Sequence, residues 1–327
     1  MSERVLITGA GGFVGRHLIQ ELVDTEPETE IVATDIKDEP PERYQELVGD
    51  RIEYRSGDIT DEGFRDELLS DRFDRVYHFA AVVGVDQYVK NPLNITEVNV
   101  IATKTILERV KDWDVRFVFT STSEIYGKNP AVPWDEKSDR VLGEPTIDRW
   151  SYSTGKSTCE HMIHGLADMD SPFSATVVRP FNLYGPGQRP KFAIPAFVKE
   201  VVNGGVPVIY DQGTQTRSFT YIKDFVRGVV QASKHPEGEN EVFNIGSTRE
   251  TEIREVGELV LEIAGCTDRE LEYIDTDELY GESYEDLERR VPDVTKAEQK
   301  LDWKAETSLE DGIDRVLDWG RTHYTDE

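Results

Sequence analysis

The chain has 327 residues, 65 of them Asp or Glu against 37 Lys or Arg, for a formal net charge of −28. Its length suits one large or two closely packed domains. A charge of that sign repels phosphate polyanions and anionic lipid, which argues against nucleic acid or a membrane surface as partner. Arg outnumbers Lys 23 to 14, and the acids are spread over segments such as DTEPETE and WDEKSDR (134–140). That composition stays soluble where salt screens self-repulsion, so a halophilic source is expected. Cys159 and Cys266 are far apart with no CxxC spacing, so a reducing cytoplasm is expected, with neither a disulfide framework nor a zinc site. His161 and His164 have no third ligand nearby and read as a helix surface pair, so no metal is expected. The N-terminus enters a strand directly and no apolar run approaches the length of a membrane span, so neither secretion nor membrane insertion is expected.

Along the chain, apolar strand-like runs alternate with helical patterns. RVLIT is followed by GFVGRHLIQELVD, EIVATD by a helix near EGFRDELLS, RVYHFA by a helix near LNITEVNVIATKTILERV, and then comes RFVFTS. Repetition of β then α at this spacing predicts an α/β fold, a doubly wound parallel sheet of the Rossmann type. Beyond FSATVVRPFNLYGP the regularity breaks at the turn-rich YGPGQRP. PAFVKEVVNGG, FVRGVVQAS, IREVGELVLEIAG and SLEDGIDRVLDW then read as helices of a smaller C-terminal α/β cap.

Three glycines, Gly9, Gly12 and Gly15, stand between the first strand and the first helix. Gly9 permits a tight turn, Gly12 lets the backbone approach a pyrophosphate, and Gly15 lets helix and strand pack closely, with the helix N-terminus facing the anion. Twenty residues on, the second strand ends in Asp35, whose carboxylate accepts ribose hydroxyls and repels a 2′-phosphate. The expected cofactor is therefore NAD, with Lys37 as the one neighbour that could blur the choice. Asp58 is placed to meet the adenine edge or to cap the helix that follows.

Tyr152 and Lys156 are four residues apart and share one helix face. A phenol titrating near pH 10 is a weak base at neutrality, and an adjacent ammonium favours its anion, so Tyr152 reads as the base. Thr122, at the end of the strand VRFVFTS, would complete the proton path at the carboxyl edge of the sheet.

Taken together, TGAGGFVG, HFAAVVGVDQ, STSEIYG, YSTGK, RPFNLYGPGQRP and QTRSFTYIKD resemble the extended short-chain dehydrogenase/reductase family of nucleotide-sugar epimerases, dehydratases and decarboxylases, from about residue 3 to 320. The resemblance implies a tightly held NAD reduced and reoxidised within one turnover, and a homodimer formed through helices near Ile95 to Val110 and Tyr152 to Leu166, with Val98, Ile101, Ile106, Met162 and Ile163 on their apolar faces. It implies that residues 1–178, with returning segments 211–247, bind NAD, and that 179–210 and 248–327 bind the nucleotide sugar. Phe13, Val14, Ile36, Ile59, Ala80, Ala81 and Asn99 would complete the NAD surface. Asn182 and Arg217 would meet the diphosphate, Val208 and Tyr210 the base, and Tyr88 and Arg189 further parts of the substrate.

Oxidation at sugar carbon 4 is shared across the family, so Ser123 and Glu124 must serve the step after it. A 4-epimerase needs only room for the ketone to turn over, and members of that kind carry small uncharged residues there, whereas the 4,6-dehydratases resemble STDEVYG, with a stronger acid at the second position. STSEIYG, RWSYSTGK and YGESYEDLERRVPD (280–293) are most similar to the UDP-glucuronate decarboxylases, in which an Arg at the position of Arg290 faces the uronate. UDP-apiose synthases carry Cys in place of Ser123. The expected reaction is decarboxylation of UDP-glucuronate to UDP-xylose or its 4-keto intermediate. The alternatives are a UDP-hexose or UDP-uronate 4-epimerase and a catalytically silent NAD-binding regulator. Arg290 could instead pair with Asp286 or Glu288, and Glu124 could be a structural group at a strand end.

Overall fold

The computed structural model describes residues 2–49, 51–84, 87, 90–275 and 287–324. The apolar runs of the first half become strands β1 (Arg4–Thr8), β2 (Glu30–Asp35), β3 (Ile52–Ser56), β4 (Arg75–His78), β5 (Val115–Thr120) and β6 (Phe173–Pro180). Short strands β7 (Leu183–Tyr184), β8 (Val208–Tyr210), β9 (Thr216–Ser218) and β10 (Thr220–Tyr221) follow, then β11 (Glu241–Ile245), β12 (Glu250–Glu252), β13 (Glu272–Ile274) and β14 (Arg289–Arg290). Seven of these form one sheet in the order β11-β6-β5-β4-β1-β2-β3, with every neighbouring pair parallel. This is the doubly wound α/β sheet expected from the sequence.

The alternation of β1 explains the layers. Val5 and Ile7 belong to one core, with Leu18, Ile19 and Leu22 of the first helix (Phe13–Thr25) and Phe225, Val226 and Val229 of the helix Ile222–Lys234. Leu6 belongs to the other, with Leu107 and Val110 of the helix Thr103–Val110 and Cys159 of the helix Arg149–Ala167. Successive strand residues point to opposite faces, so apolar runs without alternation need helices on both sides. Ile106 and Ile163, expected on a dimer face, are instead 2% and 0% exposed members of this second core. Ile101 remains exposed, and Val98 and Met162 lie half-buried.

The strand order reverses between β1 and β4, which opens a crevice at their carboxyl ends where doubly wound sheets bind ligands. The short strands build a second layer beyond it. β9 pairs with β12 antiparallel and with β14 parallel, β8 pairs with β13, and β7 with β10.

At the opposite, amino edge of the sheet lies Arg75, only 1% exposed. Its guanidinium donates to both oxygens of Glu3 at 2.9 and 2.8 Å, to Glu26 at 2.6 Å, and to the Tyr77 hydroxyl at 2.8 Å. Removing one partner of a buried ion pair leaves charge unmatched in a medium that solvates it poorly. Glu26→Ala is therefore expected to cost about 3 kcal/mol of stability, read as a lower urea midpoint with an unchanged transition slope.

Candidate active site

The loop after β1 fits a dinucleotide. Gly9 has φ +71°, and a Cβ there would lie 2.7 Å from Ala80 N on the loop after β4. A Cβ on Gly15 would come within 2.3 Å of Gly9 O, so the helix packs against the turn only because that side chain is absent. Gly11 N donates to Asp35 Oδ2 at 2.8 Å, and Lys37 Nζ donates to Gly11 O at 2.9 Å. Asp35 is thus fixed at the mouth of the loop, and Lys37 is engaged with the loop backbone. Phe13, Val14, Ala80 and Ala81 are half-buried, while Ile36 is exposed and Ile59 is buried.

Two cofactor-side residues also hold the local backbone. Asp58 accepts from Thr60 N and Thr60 Oγ1, both at 2.8 Å, and the cap of the helix Glu62–Leu68 is Asp61, whose carboxylate accepts from Phe64 N at 2.7 Å. Asn99, buried in the π-helical turn Glu97–Ala102, accepts from Val82 N at 2.8 Å and donates to Val82 O at 3.0 Å. It shapes the loop after β4 through the backbone. Tyr88 lies outside the described residues.

The helix Arg149–Ala167 carries Tyr152 and Lys156 on its buried face, at 7% and 3% exposure. Tyr152 packs with Ile95 and Val82. Lys156 Nζ donates to Thr120 O at 2.8 Å, at the very end of β5, and sits 4.4 Å from the centre of the Phe119 ring. Burial lowers the Lys156 ammonium to about 8, against the opposing pull of Cys159 and Glu160. It remains mostly protonated at neutral pH and can favour a neighbouring phenolate.

Immediately after β5, Thr122 Oγ1 accepts from Glu124 N at 3.1 Å and opens the 3-10 turn Ser123–Tyr126. Ser123 is buried. The Glu124 carboxylate is held by two arginines, Arg290 Nη1 at 2.8 Å and Arg149 Nη2 at 3.3 Å from the same oxygen, Oε1. Arg290 therefore pairs with Glu124; Asp286 lies outside the described residues, as does 280–286 of the segment YGESYEDLERRVPD. The sequence reading assigned nothing to Arg149, although its position three residues before Tyr152 in RWSYSTGK could have pointed to it.

Arg290 and Arg217 are register partners on β14 and β9, and paired residues on neighbouring strands project to one face. Arg217 is buried and donates to Thr216 O at 2.8 Å. Asn182, with φ +35°, donates to Ser218 O at 3.1 Å. Arg189 is exposed, Val208 half-buried and Tyr210 exposed on β8. Arg16 donates to Gly187 O, and His17 Nε2 lies 3.0 Å from Pro186 O, so the first helix fixes the YGPGQRP loop that carries Arg189.

A buried set of polar groups connects these parts. Arg179 on β6 donates to both oxygens of Glu160 at 3.0 and 2.6 Å and to the Tyr126 hydroxyl at 2.8 Å. Tyr126 in turn donates to Asn244 Oδ1 on β11 at 2.7 Å, and Asn244 Nδ2 donates to Trp134 O at 2.8 Å. Trp134 N donates to Val291 O at 2.9 Å, and Asp293 N donates to Trp134 O at 2.7 Å, which clasps the segment directly after Arg290.

A family model described as GDP-mannose 4,6 dehydratase matches residues 6–316. The chain belongs to this family. Over 324 residues it is 32% identical to UDP-N-acetyl-alpha-D-glucosaminuronate decarboxylase of Bacillus cytotoxicus, covering 98% of each protein. Among solved structures it is similar to UDP-glucose 4-epimerase of Thermotoga maritima with UDP-glucose, at TM-score 0.84 and 28% identity, covering 97% of this chain and 98% of that one. It is equally similar to UDP-glucuronic acid 4-epimerase of Bacillus cereus in complex with UDP-glucuronic acid and NAD, at TM-score 0.84 and 28% identity with the same coverage. As a member of this family it is an NAD-dependent nucleotide-sugar enzyme. Among the described residues no helix is long and apolar enough to cross a membrane.

Beneath the cofactor crevice the His78 ring lies 2.8 Å from Thr8 Oγ1 and 2.9 Å from Thr103 Oγ1. Burial, aided by the Lys156 charge, pushes it from 6.5 down to about 3. The unfolded chain takes up this proton near pH 6.5 and the folded chain only near pH 3, so stability is full above that window and falls as pH drops through it. Between pH 7 and pH 5 His78 is expected to remove about 2 kcal/mol of stability. Urea unfolding at the two pH values should show a smaller drop for His78→Asn than for the parent protein.

Proposed function

We propose that this enzyme decarboxylates a UDP-linked hexuronate, UDP-glucuronate or a close relative, to the corresponding pentose or its 4-keto intermediate. The observation that carries the reading is the placing of Glu124 between Arg290 and Arg149, at the end of the strand that also delivers Thr122 and meets Lys156. The 32% identity to a protein named as a decarboxylase of a UDP-linked uronate supports it.

In this reading Tyr152 takes the proton of the carbon-4 hydroxyl, Lys156 stabilises the phenolate, and Thr122 shares the proton path. NAD, cradled by Gly9, Gly12 and Gly15 with its ribose on Asp35, supplies oxidation of carbon 4 and the return of the same two electrons. A ketone at carbon 4 makes the carboxylate on carbon 5 that of a β-keto acid. The bond between carbon 5 and the carboxyl carbon then breaks, CO₂ leaves, and the electron pair is taken up as an enolate that a solvent-derived proton quenches at carbon 5. Arg290 binds the uronate anion, and Ser123 and Glu124 orient it and pass the proton. Asn182 and Arg217 hold the diphosphate, with Val208 and Tyr210 against the base.

Incubation with UDP-glucuronate should release CO₂. Interconversion of carbon-4 epimers without CO₂ would replace the reading with a 4-epimerase, and no turnover with any nucleotide sugar would favour a regulator. Tyr152→Phe should bind substrate yet leave the bound nicotinamide oxidised, with kcat reduced about 10³-fold. Glu124→Gln should still develop nicotinamide absorbance while releasing little CO₂. Arg290→Ala should weaken binding of UDP-glucuronate far more than of uncharged UDP-glucose.

A homodimer through the helices flanking Tyr152 also belongs to this reading. Leu93 and Ile101 present apolar side chains at 82% and 40% exposure, more apolar surface at one helix than solvent contact favours. Light scattering in concentrated salt should give twice the chain mass, and Leu93→Glu with Ile101→Glu should lower it toward the monomer.

A further inference from the structure

Two cations meet one carboxylate oxygen, and the decarboxylation described above draws on only one of them. Arg290 comes from a two-residue strand. Arg149 is the first residue of the 19-residue helix that carries Tyr152 and Lys156, it is 7% exposed, and it lies 5.8 Å from the centre of the Trp150 ring. A cation at a helix N-terminus opposes the helix dipole, and a buried guanidinium needs a matched partner to offset its lost hydration. Helix formation therefore does not explain Arg149, whereas its contact with Glu124 does.

The charges of the group decide what each arginine does. Both guanidiniums meet the one Glu124 carboxylate, and a uronate brings a second carboxylate to the site. When Arg290 turns from Glu124 to the substrate, Glu124 loses its nearer partner just as a second carboxylate arrives beside it. Two neighbouring carboxylates without compensation repel each other, and one takes up a proton. Arg149, anchored in the first turn of a long helix, is the cation that can remain.

We infer that Arg149 is a positioning residue that keeps Glu124 in place throughout turnover and ionised until CO₂ has left, while Arg290 exchanges Glu124 for the substrate carboxylate. The assignment rests on the decarboxylase reading. It gives the two arginines separable signatures, since Arg290 acts on substrate binding and Arg149 acts on the chemical step through Glu124.

The test measures steady-state CO₂ release from UDP-glucuronate by Arg149→Gln, Arg149→Lys, Glu124→Gln and the double variant Arg149→Gln with Glu124→Gln. Arg149→Gln should lower kcat about 10²-fold while KM stays within about 3-fold, and its nicotinamide absorbance should still develop on mixing with substrate. Arg149→Lys should recover about tenfold of that loss and stay about tenfold below the parent, since the charge is retained but the planar fork is not. The double variant should be no slower than Glu124→Gln alone, because a residue acting through Glu124 has nothing further to lose. Multiplying losses in the double variant, or normal kcat in Arg149→Gln, would overturn the assignment while leaving the decarboxylase intact. Should Arg149→Gln fail to fold, Arg149→Lys decides: a lowered kcat at constant KM supports the role, and a raised KM or unchanged kcat rejects it. A parent enzyme that releases no CO₂ from UDP-glucuronate or its 2-acetamido analogue overturns the decarboxylase reading itself, and this assignment with it.

Discussion

The relative positions of the catalytic elements depend on the buried guanidinium of Arg179. It joins Glu160, on the helix of Tyr152 and Lys156, to Tyr126, at the end of the turn that holds Glu124. Through Tyr126, Asn244 and Trp134 the same chain of bonds reaches Val291, next to Arg290. Three pieces far apart in sequence are thereby referred to one rigid group. A planar fork that makes two bonds to one carboxylate has little freedom to slip, and its donors are worth more in a medium that excludes water. The aromatic rings of Tyr126, Trp134 and Phe181 close around it, which keeps water from competing for those bonds.

Charge is the second constraint. A chain with net charge −28 repels any anionic sugar nucleotide, so binding needs local fields of the opposite sign. In the proposed reading Arg217 and Arg290 would supply them, since they share a register position across β9 and β14 and neither is exposed enough for salt to screen it fully. Glu124 limits this field in the empty site. By pairing with Arg290 at 2.8 Å it supplies that half-buried cation with a counter-charge.

How much of this was legible in the sequence follows from the range of each interaction. The seven-stranded sheet was readable because each strand is an apolar run bounded by turn residues, and the glycine loop because its spacing and its place between strand and helix are local. Tyr152 and Lys156 were readable because a separation of four defines a helix face. The cap of the helix Glu62–Leu68 was misplaced by three residues because both Asp58 and Asp61 precede it, and only backbone geometry decides which carboxylate reaches Phe64 N. Ile106 and Ile163 looked like surface candidates because a helix packed between a sheet and another helix is apolar around more than one stripe. The pairing of Arg290 with Glu124 spans 166 positions and no local pattern encodes it, so it emerged only from the parallel pairing of β14 with β9. Arg149 was passed over because it sits beside a recognised motif, where attention falls on the base and its lysine.

The same geometry bears on why one scaffold serves both epimerisation and decarboxylation. Both reactions pass through a carbon-4 ketone, and a ketone beside a carboxylate-bearing carbon is already disposed to lose CO₂. An epimerase acting on a uronate must therefore hold the carboxylate out of line with the π-system of the ketone, whereas a decarboxylase must let it turn perpendicular to that plane so that the breaking bond overlaps with it. A single cation fixes a carboxylate in either pose. What differs is the charge on the other side. An anionic Glu124, held by Arg149 on the helix that also positions the base, disfavours the substrate carboxylate more than it disfavours neutral CO₂. In the proposed decarboxylase, binding energy gathered at the nucleotide would offset that repulsion in the bound state, and the repulsion would be relieved as the carboxylate leaves. On this argument the choice between the two reactions lies less in the arginine that meets the substrate than in the one that keeps Glu124 charged.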